Sequence, residues 1–180
     1  MTTAAQPGTA RRVARVLACA ATAILITASV LTGPLVSAAK RTVRDTHGDA
    51  PAKIDIVKAT YINGPKRLRA RLTARDLRRA GTMNFIVTQY ATDEGFAAVV
   101  RYRKGRARAH LVHSYVDHVD PTRCKVAARW NARRDTIRVH FARRCLSRGY
   151  RHDQRNYLGV SMRVGDRSYD FAPFRHVKHG

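Results

Sequence analysis

Acidic residues are scarce in this chain. Twelve aspartates and glutamates stand against 35 lysines and arginines, for a formal net charge of +23 at pH 7, and Glu94 is the only glutamate. A glycosidase-type carboxylate pair would therefore have to be two aspartates. The sequence also lacks a glycine-rich phosphate loop, a Cys-x-x-Cys pair, heptads, tandem repeats and low-complexity linkers. Those absences argue against a nucleotide cradle, a redox-active dithiol and a multi-domain layout. Tryptophan occurs once, at Trp130, on the apolar phase of its segment, so it reads as core rather than as a sugar platform. Ser114, His113 and Asp117 lie too close together along one strand and loop to form a triad. The residues present favour a binding protein over an enzyme.

What is abundant is positive charge, and its position matters. Only Arg11, Arg12 and Arg15 precede Lys40, so residues 40–180 keep nearly all of it. A surplus of this size projects a positive potential over about 8 Å at physiological salt, favouring phosphate, uronate and other polyanions.

Residues 1–39 read as a cleaved signal peptide. A polar start and the three arginines lead into an apolar stretch from Val16 to Thr32, then Gly33-Pro34 and the small-residue sequence Val36-Ser37-Ala38-Ala39. Cleavage after Ala38 or after Ala39 fits equally. The apolar stretch approaches the roughly 20 residues that span a bilayer, but the helix-breaking Gly33-Pro34 argues against a retained anchor. The expected product is secreted or cell-wall-associated, without a membrane span. Cys19 leaves with the signal, and Cys124 and Cys145 remain to pair in an oxidising compartment.

These two cysteines flank a predicted hairpin. Val126, Ala128 and Trp130 share one face of its first strand, Ile137, Val139 and Phe141 share one face of the second, and Asn131 to Asp135 is the turn. Closing a loop of about 20 residues contributes on the order of 3 kcal/mol in the chain-entropy model.

Period-two alternation with turn signals recurs along the rest, predicting an all-β, antiparallel β-sandwich over residues 53–174. Residues 40–52 read as a polar lead and 175–180 as a flexible basic tail. Ile54 to Tyr61, Leu68 to Leu72, Met83 to Tyr90, Phe96 to Arg103, Arg106 to Val116 and Tyr157 to Val164 are the other predicted strands, with one helical turn between Ala74 and Gly81. The polar phases of these strands are rich in arginine. Arg67, Arg69 and Arg71 alternate with Leu68, Ala70 and Leu72, and Arg101, Arg103, Arg106 and Arg108 sit across the hairpin at Lys104-Gly105. Several strands are expected to present these arginines on one sheet face, a platform for bidentate contacts with phosphate or carboxylate.

The run His47-Gly48-Asp49-Ala50-Pro51-Ala52-Lys53-Ile54-Asp55-Ile56, with echoes at Arg144-Cys145-Leu146 and Asp170-Phe171-Ala172-Pro173, resembles a group of small, uncharacterised secreted proteins of actinobacteria. That group is in turn distantly similar to jelly-roll modules such as the family 9 carbohydrate-binding modules. The resemblance implies an exported, jelly-roll-like sandwich that contacts a glycan or is stabilised by calcium. The positions matching the calcium-holding acids are Asp45, Asp49 and Asp55, with Asp170 near the closing strand, although Gly-Asp-Ala-Pro departs from the more acidic, glycine-rich form of the motif.

Other constellations are weaker. His110, His113 and His118, near Asp117 and Asp120, suggest a transition-metal site, but His110 and His113 point to opposite faces of a strand. Tyr150, Tyr157, Tyr169 and Phe174 are the aromatics best placed for a sugar. The expectation is a monomeric binding module for an anionic wall polymer or other polyanion. It needs no cofactor, a structural calcium belonging to the alternative of a calcium-stabilised module for a neutral glycan, and nothing indicates dedicated nucleic-acid recognition.

Overall fold

A computed structural model describes residues 38–46, 48–89, 94–115, 118–147, 150, 156–164 and 168–178. All fall within the compact unit Leu35–Gly180. The expected signal peptide lies outside the described residues except for Ala38 and Ala39, as do Asp117 and the last two residues of the expected tail.

Eleven strands follow one another: β1 (Ala39–Arg44), β2 (Ile56–Asn63), β3 (Arg67–Ala74), β4 (Gly81–Thr88), β5 (Gly95–Arg103), β6 (Arg106–Ser114), β7 (Val119–Pro121), β8 (Val126–Asn131), β9 (Thr136–Ala142), β10 (Tyr157–Val164) and β11 (Ser168–His176). They form two antiparallel sheets, one ordered β1-β2-β3-β9-β8 and the other β11-β10-β4-β5-β6-β7. The fold is a β-sandwich. Among the described residues a 3-10 turn spans Arg143–Cys145, and Tyr150 is helical.

Alternation builds the core. Leu68, Ala70 and Leu72 of β3 are buried while Arg67, Arg69 and Arg71 between them are exposed. Tyr61 and Phe141 from one sheet close on Phe85 from the other, with ring centroids 6.4 and 5.8 Å from it. Each such buried ring or branched aliphatic side chain contributes about 1.5–3 kcal/mol through removal from water. Trp130 is buried as its phase predicts, stacked on Tyr102 at 5.4 Å, and its indole N–H donates to the Arg78 carbonyl.

Both predicted hairpins are present. Lys104 and Gly105 take positive φ at both central positions, the backbone of a two-residue type I′ turn. Cys124 and Cys145 lie at disulfide distance, Cα to Cα 5.8 Å, across the ends of β8 and β9.

Three expectations are corrected at the margins. The polar lead is not a lead, because Ala39–Arg44 pairs along its whole length with β2. Only Val43 of β1 is buried, so this edge strand never acquires an alternating signature. The tail is strand through His176, and Val177 is fully buried, its carbonyl accepting from the Asn63 side chain at 2.8 Å. Pro173 disguised this strand, but at a sheet edge a missing N–H leaves no partner unmet. Residues 75–80 form no helical turn, because their backbone N–H groups find partners elsewhere. Arg75 donates to the Asp55 carbonyl, Asp76 to the Ala52 carbonyl and Leu77 to the Asp135 carboxylate.

Candidate functional site

The fold gathers the scarce acids. Asp45 follows β1, Asp55 immediately precedes β2 and Asp170 lies in β11, yet an oxygen from each of Asp49, Asp55 and Asp170 falls within 4.8 Å of the others. Gly48, at φ +85°, turns the intervening loop so that its N–H donates to Asp55 Oδ2 at 3.1 Å. Asp170 crosses between sheets, accepting from the N–H of Ile56 at 2.6 Å and from its neighbour Phe171 at 2.7 Å.

The electrostatics are strained by burial. Asp55 is fully buried, and its nearest cation, Arg75, is 3.9 Å away. Oδ1 of Asp55 and Oδ2 of Asp45 are buried without a hydrogen-bond partner among the described residues. Burial pushes the Asp45 carboxyl above its ordinary value, and Asp170, Asp49 and Asp55 push the same way against the opposing Thr46 N–H. Burial likewise raises Asp170, with Asp49 and Asp55 adding to it, while the N–H groups of Ile56 and Phe171 oppose. Hard oxygen donors, several carboxylates and orphaned buried oxygens match a calcium ion. Among the described residues no histidine or thiolate joins this group to favour a softer metal. Asp49, Asp55 and Asp170 would hold the ion and tie the segment ahead of β2 to β11, whereas Asp45 lies near enough to feel their charges but does not join that group.

The arginines are not on one face. Arg67, Arg69 and Arg71 point outward from the β1-β2-β3-β9-β8 sheet, and Arg101, Arg103, Arg106 and Arg108 from the other. Chain order hides this, since β3 pairs with the distant β9 rather than with β4. The pairing adds residues that sequence reasoning missed. Arg71 lies opposite Arg138, which lies opposite Arg129, so three arginines stand abreast on neighbouring strands. Arg69 lies beside His140, whose pKa is lowered by burial and then by Arg67 and Arg69. The signal for Arg129 and Arg138 was their place on the polar phases of β8 and β9.

On the other sheet Arg101 faces Arg108 and Arg103 faces Arg106 across the hairpin, around a recess of about 550 Å³ that Lys104 also lines. Thr82 lies between Arg101 and Arg163. Among the described residues the ion pairs are Arg75–Asp55, Arg78–Asp76 and His113–Glu94, and none involves these outward arginines.

Compared with known proteins, the chain matches no family model, no curated protein and no solved structure. Its reading therefore rests on its own residues.

The histidines do not converge. His110 is exposed, whereas His113 stacks on Phe96 at 4.2 Å and meets Glu94 through Nε2 at 2.6 Å. Of the aromatics proposed for sugar contact, Tyr150 is core, edge-on to Phe96, and Tyr157 is half-buried beside His176. Tyr169 is 58% exposed and begins a series with Phe171 and Phe174, at centroid spacings of 6.5 and 5.0 Å. The Phe174 ring covers Gly159, where a Cβ would lie 2.7 Å from it. Among the described residues no helix is long and apolar enough to cross a membrane.

Proposed function

We propose that this is an exported, non-enzymatic binding module that holds an anionic cell-surface or extracellular polymer on its arginine faces. One observation carries the reading. Like charges lie directly opposite one another on adjacent strands, Arg71–Arg138–Arg129 on one sheet and the pairs Arg101–Arg108 and Arg103–Arg106 on the other, with no acid among the described residues to neutralise them. Such neighbours destabilise a sheet. A multivalent anion turns that disadvantage into binding energy, because each guanidinium fork takes a phosphate or carboxylate bidentately. Arginine–aromatic proximity on the second sheet, with Arg163 opposite Tyr169, suits a polymer that also carries sugar rings.

The test is binding of the purified protein to a teichoic-type polymer, a polyuronate and a neutral glucan across a salt series. Affinity for both anionic polymers that falls steeply with salt supports the proposal. Salt-insensitive binding to the neutral glucan overturns it.

The acid cluster favours a second reading, a calcium-stabilised jelly-roll module that takes a neutral glycan on Tyr169, Phe171 and Phe174. The buried, unpartnered oxygens of Asp45 and Asp55 support it. Glycan binding that survives high salt but fails after calcium chelation, and in Asp55→Asn, selects this reading over the first.

A further inference from the structure

We infer that β3, β9 and β8 build a discrete subsite for a phosphate monoester at the turn end of the arginine row. The inference rests on the anion-binding reading of the arginine faces and narrows it to one ligand chemistry. Arg71, Arg129 and Arg138 enter from three neighbouring strands, which lie about 4.8 Å apart. Arg134 joins them from the β8–β9 turn, and Asn131 and Thr136, opposite each other in register, close the end. Together these six residues line a recess of about 60 Å³. On the measure by which one water needs about 10–15 Å³, this is room for only a few waters, the size of a small tetrahedral oxyanion rather than of a sugar ring.

Its lining offers donors. Four guanidinium groups bring N–H forks. The Asn131 side-chain oxygen already accepts the backbone N–H of Arg134 at 3.1 Å, which fixes the turn and leaves the amide NH2 as a donor within the lining. Thr136 adds a hydroxyl. The adjacent acid, Asp135, has its carboxylate engaged by the Leu77 N–H at 3.0 Å.

Charge and valence select the ligand. A carboxylate carries one negative charge on two oxygens and satisfies a single fork. A phosphodiester also carries one charge and two free oxygens. A phosphate monoester carries about −1.5 to −2 at pH 7 on three acceptor oxygens, enough to meet three arginines arriving from three strands. The second arginine face lacks this enclosure: its recess is lined by Arg101, Arg103, Lys104, Arg106 and Arg108 and is far larger.

The experiment titrates the purified protein with methyl phosphate, dimethyl phosphate and acetate, following arginine side-chain N–H resonances by NMR. The expected result is binding of methyl phosphate about tenfold or more tighter than the other two, strengthening as pH rises through the second phosphate pKa near 6. Arg138→Gln and, separately, Arg129→Gln each weaken it about tenfold, the worth of one charge-assisted hydrogen bond, while Arg41→Gln, at an exposed position on the edge strand β1, leaves it unchanged. Equal binding of methyl phosphate and acetate, or indifference to both β8 and β9 substitutions, overturns the subsite. The same variants are assayed on a teichoic-type polymer. Polymer binding without selective methyl phosphate binding removes the subsite and keeps the polyanion reading. Methyl phosphate binding without polymer binding keeps the subsite and removes the polymer.

Discussion

The acid cluster and the arginine row both place charges of one sign side by side, but the first has Asp55 and Asp170 buried at its centre and the second lies wholly outside. At Asp55 the carboxylate is fully buried, and burial is the leading reason that Asp45 and Asp170 hold their protons more tightly than ordinary aspartates. At Arg71, Arg138 and Arg129 the side chains are exposed, so water and salt screen their repulsion. Buried like charges demand a proton or a cation. Exposed ones can wait for a ligand at small expense to the fold. The first arrangement therefore bears on holding the sandwich together, and the second on what the sandwich presents.

The sharpest way to separate the two regions is to remove one member of each and measure stability. Asp170→Ala takes the acceptor from the Ile56 N–H, leaving a buried donor unsatisfied and cutting the link between β11 and β2. The expected loss is about 3 kcal/mol, a Tm fall of roughly 10 °C by thermal unfolding. An unchanged Tm would mean that the cluster does not bind the two sheets together.

Cation dependence comes next in size. Saturating calcium at about 100 times its Kd should stabilise the protein by about 2.7 kcal/mol at pH 7, and Asp55→Asn should abolish the gain. The pH dependence supplies the sign. Asp45 and Asp170 have folded pKa values raised above the unfolded value. Their contribution is therefore full below the ordinary aspartate pKa and is lost as pH rises through the raised values. In chelator, these two groups should make the protein less stable as pH climbs from the ordinary aspartate range toward neutrality. Calcium should remove that loss. A chelated protein whose stability in this range does not change, or rises, with pH would argue against the clustered carboxylates.

The arginine row should respond in the opposite sense. Arg138→Gln relieves two like-charge neighbours and should raise Tm slightly, by about 1–2 °C, while weakening polymer binding. Loss of stability together with loss of binding would make Arg138 a structural residue rather than a binding one.

How much of this was legible in the sequence follows from the same contrast between interior and edge. The central strands announce themselves because one face is core. Leu68, Ala70 and Leu72 alternate with arginine, and Lys104-Gly105 marks its turn. β1 and β11 do not, because an edge strand with one buried residue, or with a proline in it, carries no period. Acid positions stood out as a set because acids are rare, yet their convergence depends on β11 lying against the start of β2, Ile56 and Asp170 being 114 positions apart in sequence. The arginine row was missed for a related reason. The polar phase of a strand shows which residues face outward, but only the non-local pairing of β3 with β9 shows which of them are neighbours.

The smallest expected effect reports on that neighbourhood directly. Partial burial and then the positive charges of Arg67 and Arg69 lower the His140 pKa. With a folded value below the unfolded one near 6.5, His140 leaves stability intact above pH 6.5 and lowers it as pH falls toward the depressed value. A polyanion lying along the sheet offsets the charge of Arg67 and Arg69, so the His140 pKa should climb toward its ordinary value when polymer is bound. High salt, which screens the same charges, should move it the same way in the free protein. Both shifts are readable from the imidazole resonances across a pH titration. A His140 pKa that responds to salt but not to polymer would place the polymer on the opposite sheet, against Arg101, Arg103, Arg106 and Arg108, and would divide the two arginine faces by function as well as by position.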